Sequence, residues 1–260
     1  TDEGNIPAKA VIGAPAVEFE NVVFAYHKDK PSLENINLIV EKGETVGVVG
    51  GTGSGKSTLV NLIPRFYDIT HGELRIDGVD VRKYPLSQLR EKIGIVPQRA
   101  VLFKGTIRSN MLWGKKNASD DEIWTALETA QAAEFVRKLH DGLDSVVEQG
   151  GRNFSGGQRQ RLTIARAVVM KPDIIILDDS SSALDFATDA ALRTALKQDL
   201  SGSTVFIVSQ RASSIKHADK IIVLDDGQAA GTGTHGELFN NCQVYREICL
   251  SQMSEQEAEK

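Results

Sequence analysis

Excess positive charge, long apolar runs and cysteine are all scarce in this sequence. Lys and Arg total 30 against 35 Asp and Glu, a net charge of −5, and no basic stripe alternates with aromatics. A track for a nucleic-acid backbone needs both, so no nucleic-acid partner is expected. The longest β-like apolar runs, such as 174–177, 205–208 and 221–224, fall far short of the roughly 20 residues that cross a bilayer. No cationic, apolar, cleavable start is present, so no secretion signal is expected. The sequence begins without Met, and the expectation is a domain excised from something longer. Cys242 and Cys249 are the only cysteines. Placed in one helix they would sit about 10 Å apart along its axis, too far to bridge, which suggests two reduced thiols in a cytosolic setting. The five His show no paired spacing, so a metal cluster built from side chains alone is not expected.

What is present can build a substantial core: 260 residues are 41% hydrophobic, enough for one compact domain with room for a subdomain. Residues 1–15, rich in small residues and Pro, read as a linker. Strands are expected at 17–26, 36–41, 45–49, 73–76, 93–97, 174–178, 204–209 and 220–225, with a helix from Lys56 and polar helical segments over 119–170. The run Thr45-Val46-Gly47-Val48-Val49 suits a buried parallel strand. The expected architecture is α/β: a mostly parallel sheet with helices on both faces, an antiparallel β part at the N-terminus, and a helical subdomain. The core is assigned to 16–98 and 171–250, the helical subdomain to 99–170, and a tail to 251–260.

Between a buried strand and a helix lies Gly50-Gly51-Thr52-Gly53-Ser54-Gly55-Lys56-Ser57, which fits G-x-x-x-x-G-K-[ST], with Thr58 next. Glycines let backbone N–H groups turn inward around a phosphate, Lys56 neutralises charge and Ser57 can ligate Mg²⁺. Residues 174–177 form an apolar strand ending in Asp178 and Asp179. Taken alone, an acid at a strand end usually caps a turn. Parallel strands deliver their C-terminal ends to one sheet edge, however, so with the loop already found Asp178 is expected to hold the Mg²⁺ shell through water.

Asn153-Phe154-Ser155-Gly156-Gly157-Gln158-Arg159-Gln160-Arg161 resembles the signature motif of ATP-binding cassette (ABC) proteins. That resemblance, which spans about 17–250, implies a P-loop NTPase core of RecA-like type with a helical signature subdomain. It implies ATP and Mg²⁺ as ligands, and a second cassette whose γ-phosphate would meet Ser155, Gly156, Gly157 and Gln158. Gln98 resembles the Q-loop glutamine, which contacts Mg²⁺ and attacking water. Ser182-Ala183-Leu184-Asp185 resembles the D-loop, and Tyr26 the aromatic that stacks on adenine. Phe66-Tyr67-Asp68, Ile76-Asp77-Gly78-Val79-Asp80 and the run 102–110 are similar to the exporter type. In that type a cassette follows a transmembrane domain and works at the cytoplasmic face of the membrane, and the excised cassette itself is expected to be soluble.

Two positions depart from the family pattern. Asp179 stands where Glu is usual, and Gln210 where a switch histidine is expected. A carboxylate withdrawn by about 1 Å costs on the order of 10²-fold in alignment, and general-base action is worth roughly 10²–10⁴. Glutamine can donate a hydrogen bond but cannot carry an imidazolium charge. These departures favour a heterodimer in which the partner supplies Glu and His and this chain's own phosphate-loop site is slow. A homodimer in which Asp179 suffices, a regulatory arm without turnover, a soluble non-transport cassette and a P-loop kinase are the alternatives. Soluble cassette proteins generally carry two cassettes or long coiled arms. A kinase would leave the signature motif unexplained.

Overall fold

The computed structural model describes residues 9–27, 30–180, 182–254 and 257. The expected linker at 1–15 therefore lies partly outside the described residues, at 1–8, and the expected tail at 251–260 does so at 255, 256 and 258–260. The chain divides into two compact units, one holding residues up to Ile93 together with Thr204 onward, the other Gly94–Ser203.

The first unit opens with β1 (Val17–Phe24), β2 (Leu33–Val40), β3 (Thr45–Gly50), α1 (Lys56–Leu62), β4 (His71–Ile76), β5 (Val79–Asp80) and α2 (Leu86–Glu91). Along β2 the residues Leu33, Ile36, Leu38 and Val40 are buried while Glu34, Asn37 and Ile39 are exposed, an amphipathic pattern that covers one sheet face. It pairs into an antiparallel sheet ordered β2-β1-β4-β5. The expected strand to Tyr26 stops at Phe24. Register slips around Val22, and the Ser32 N–H bonds to the Phe24 carbonyl, turning the chain out of the ladder before Tyr26.

The second unit takes in most of β6 (Ile93–Val96), then β7 (Gly105–Thr106), α3 (Ile107–Gly114), α4 (Asp120–Thr129), α5 (Ala133–Arg137), β8 (Val146–Val147), α6 (Gly156–Val168), β9 (Ile174–Asp178) and α7 (Phe186–Asp199). Helices α3, α4 and α6 each begin with a reciprocal capping box, built by Thr106 with Ser109, Ser119 with Glu122 and Ser155 with Gln158. These boxes satisfy N–H groups that a helix start leaves unpaired. α6 packs against α3 and α4, and the wholly buried β9 lies beside β6. The stretch 119–170 is less continuous than expected, because β8 and short 3₁₀ turns interrupt the helices.

The first unit resumes with β10 (Thr204–Val208), α8 (Ala212–Ile215), β11 (Lys220–Asp225), β12 (Gln228–Gly233), α9 (His235–Asn241) and α10 (Gln243–Leu250). Here β3 is sandwiched between β10 and β11, both parallel to it, with β12 antiparallel at the edge. β3 and β10 are buried almost throughout, as strands covered on both faces must be. Cys242 and Cys249 do not share one helix: extended backbone at Cys242 (φ −117°, ψ 106°) separates α9 from α10. Both thiols are buried and free. Among the described residues no helix is long and apolar enough to cross a membrane.

Candidate functional site

In the first unit the chain leaves β3 through the loop 50–55 and enters α1. Only glycine fits at Gly50, where a Cβ would stand 2.1 Å from the Leu224 carbonyl oxygen. Gly55 needs the same freedom for another reason: its φ is 99°, and a Cβ would meet Leu33 at 2.8 Å. Gly51 and Gly53 instead face open space, with nothing within 4 Å of a built Cβ. The nearly buried Lys56 ammonium donates to the Gly50 carbonyl at 2.9 Å and the Gly51 carbonyl at 2.6 Å, closing the loop on itself. Ser54 Oγ is buried there without a hydrogen-bond partner, and Gly55 gives α1 no side-chain cap. A cradle that is open at two glycines and holds a buried cation and an unused hydroxyl has the chemistry of a polyphosphate site. Ser57 and Thr58 follow in the first turn of α1, both half-buried.

Tyr26 stands beyond the end of β1, half-exposed, with its hydroxyl 3.2 Å from Thr58 Oγ1. Gln210 follows β10 with its side chain exposed, and its carbonyl accepts a bond from Gln252 Nε2 at 2.7 Å.

In the second unit β9 carries Asp178 at its buried end, and Asp179 follows with φ 47°. Asp tolerates that left-handed conformation better than most residues. Gln98 Nε2 donates to Asp179 Oδ2 at 3.3 Å, so the two expected catalytic groups of this unit meet. Ser182 donates its hydroxyl to the Asp179 carbonyl at 2.9 Å, which fixes the turn after the acid. In the signature run, Ser155 Oγ accepts the Gln158 N–H at 3.2 Å while Gln158 Oε1 accepts the Ser155 N–H at 2.9 Å. Gly156 faces open space, and a Cβ on Gly157 would meet the Ala183 carbonyl at 3.2 Å. Leu184 is buried. Asp185 caps α7 by accepting from the Thr188 N–H at 2.9 Å and hydroxyl at 2.8 Å, bonds that hold its carboxyl below the usual range. Ser155, Gln158 and Asp185 thus have helix-capping work of their own, which sequence reasoning did not assign them.

A family model described as ABC transporter matches residues 33–182, the stretch that holds the phosphate loop, Gln98, the signature run and Asp178. The chain belongs to the ABC transporter family. An uncharacterised ABC transporter ATP-binding protein of Mycobacterium tuberculosis is 46% identical over 255 residues, covering 96% of this chain and 43% of the relative. An ATP-dependent lipid A-core flippase of Hahella chejuensis is 42% identical over 99% of this chain and 44% of its own length. A solved structure titled as a bacterial Atm1-family ABC exporter with ATP bound superposes with a TM-score of 0.90 at 38% identity, over 95% of this chain and 43% of that one. The chain thus spans less than half the length of the relatives it matches.

Two residues of this ABC domain that sequence reasoning gave no contact also touch candidate site residues. Tyr67 meets the Tyr26 ring at 5.0 Å. Gln252 clamps the segment after β10, donating to the Gln210 carbonyl and accepting the Ala212 N–H at 2.9 Å. Tyr67 stood within a run that matched the exporter pattern, whereas nothing in the sequence marks Gln252.

Proposed function

We propose that this chain is the ATP-binding motor domain of an exporter. In this reading it binds Mg-ATP, closes head to tail on a second cassette and works at the cytoplasmic face of a membrane beside a transmembrane domain. The carrying observation is the loop 50–55, drawn closed by Lys56 and open at Gly51 and Gly53. The word exporter draws on the name of the Atm1-family structure and on a putative multidrug export ATP-binding/permease protein of Bacillus subtilis, 44% identical over 95% of this chain and 43% of its own length. Ser57, Gln98 and Asp178 are the residues we assign to Mg²⁺. Among the described residues no group of three or more His, Cys, Asp or Glu could hold a metal. So sparse a donor set suits Mg²⁺, which keeps several waters and takes its other ligands from phosphate. When bound, the ion neutralises phosphate charge.

Tyr26 stacks on the base in this reading, Lys56 and the loop amides hold the phosphates, and Ser155, Gly156, Gly157 and Gln158 serve the partner's nucleotide. Asp179 orients water and Gln210 donates to the γ-phosphate, but the site turns over slowly. Asp179 is one methylene shorter than Glu and is already engaged by Gln98. Gln210 cannot become a cation. The partner is a different subunit with Glu and His at these positions.

The test is Mg-ATP hydrolysis by the 260-residue chain at high concentration, alongside a double variant, Asp179→Glu with Gln210→His. A silent parent and a variant revived by about 10²-fold or more would support a degenerate half of a heterodimer. Comparable rates would make Asp179 a competent base and this chain able to pair with itself. Failure of both proteins to bind ATP would overturn the motor reading altogether.

A further inference from the structure

We propose that Tyr67 is a positioning residue for the nucleotide base: it holds the Tyr26 ring upright so that one face stays free to stack. The inference rests on the reading of Tyr26 as the base platform and goes beyond it by naming what orients the platform.

Tyr26 needs support because it lies outside the ladder, two residues past the end of β1, and is 46% exposed. A tyrosine in that setting samples several rotamers and would have to be ordered each time a base bound. Two rings prevent this. Phe24 meets the Tyr26 ring at 4.7 Å and 85°, and Tyr67 meets it at 5.0 Å and 86°. Both are edge-to-face arrangements, the geometry in which the positive edge of one ring lies on the negative face of the other. Phe24 and Tyr67 close the triangle at 5.6 Å. The Tyr26 hydroxyl, 3.2 Å from Thr58 Oγ1, fixes the far end of the ring.

Tyr67 can serve as a brace because its own segment is rigid. Arg90 donates to the Pro64 and Arg65 carbonyls, both at 3.2 Å, and its guanidinium lies 5.4 Å from the Phe66 ring centre. The Arg65 side chain reaches forward to Asp68 at 2.6 Å. Thr70 then ties this segment to the strand that carries Tyr26: its N–H bonds the Val23 carbonyl at 2.8 Å, and its hydroxyl accepts the Ala25 N–H at 3.3 Å. The brace and the platform are therefore stitched together through the backbone on either side. Tyr67 is nevertheless 44% exposed, more than burial in the core would require of it.

The experiment compares ATP with inorganic tripolyphosphate, which has the phosphates and no base. Both are titrated into the 260-residue chain and its variants Tyr67→Ala, Tyr67→Phe and Tyr26→Ala. The expected result is that Tyr67→Ala weakens ATP by about 3- to 10-fold, leaves tripolyphosphate unchanged and is rescued by Tyr67→Phe, which keeps the ring. Equal weakening of both ligands by Tyr67→Ala would mean a structural role and overturn the inference. So would an unchanged ATP affinity in Tyr67→Ala while Tyr26→Ala loses the preference for ATP. If Tyr26→Ala itself left that preference intact, the base-platform reading would fall and the inference with it.

Discussion

The phosphate loop of the first unit is shaped by close backbone approach, whereas the signature run of the second begins with a capping box made of side chains. At Gly50 and Gly55 the first unit leaves no room for a Cβ, and its buried charge is paired, with Asp77 held between Lys42 at 2.8 Å and Lys92 at 2.9 Å. The second unit begins three helices with side-chain capping boxes, where the first has one at α9, and half-buries Arg166, whose guanidinium pKa is pushed down by desolvation. Among the described residues, buried side-chain atoms without a hydrogen-bond partner are Ser54 Oγ in the first unit and Ser145 Oγ, Gln160 Nε2, Arg161 Nε and Arg166 Nη1 in the second. A buried polar atom that neither protein nor water satisfies costs about 1–3 kcal/mol. The second unit thus carries more of this unmet polar demand than the first.

The same substitution in the two loops separates these designs most sharply. Gly50→Ala drives a Cβ onto the backbone oxygen of Leu224 and is expected to cost about 3 kcal/mol or more in urea unfolding. Gly156→Ala places its Cβ in open space at the first turn of α6 and is expected to stay within about 0.5 kcal/mol of the parent. Comparable losses at the two sites would break the comparison.

How much of this was legible in the sequence follows from the same contrast. Apolar runs with nothing polar in them announced β3, β9, β10 and β11, and the phosphate loop could be placed between β3 and α1 from its pattern alone. Features made by local hydrogen bonding were harder to read. The turn of Ser32 back to Phe24 removed Tyr26 from its strand, and the extended backbone at Cys242 split one expected helix in two. Ser155-x-x-Gln158 does fit a capping box, yet the same residues also fitted a ligand role, and a hydroxyl's choice between them is not written in periodicity. Tyr67 was invisible as a brace for a related reason: exposed aromatics have no repeat to betray their neighbours.

A smaller effect tests the paired charge of the first unit. Asp77 sits at a turn with φ 50°, which Asn also accepts, so Asp77→Asn removes charge without straining the backbone. Burial alone would raise its carboxyl pKa, but bonds from Lys42 and Lys92 outweigh it and hold the value below the ordinary one. A depressed folded value means the stabilisation is complete above the unfolded value of about 3.9 and is lost as pH falls through the folded value. Asp77→Asn is expected to cost about 1–2 kcal/mol at pH 7 and to converge with the parent in strong acid. A difference that persisted unchanged at low pH would show that the lysines do not act through this carboxylate.

The smallest expected effect concerns the unmet demand of the second unit. Gln160 lies in α6, 2% exposed, with its amide nitrogen buried and unpartnered among the described residues. Replacing it with Met keeps the length and flexibility of the side chain and removes the desolvated donor. If that donor is a true cost to the fold, Gln160→Met should raise stability by up to about 1 kcal/mol in urea unfolding, whereas an apolar swap at a satisfied polar site lowers it. A loss of 1 kcal/mol or more would mean the amide is bonded in solution, and the two units would then differ in shape alone and not in how well their polar groups are met.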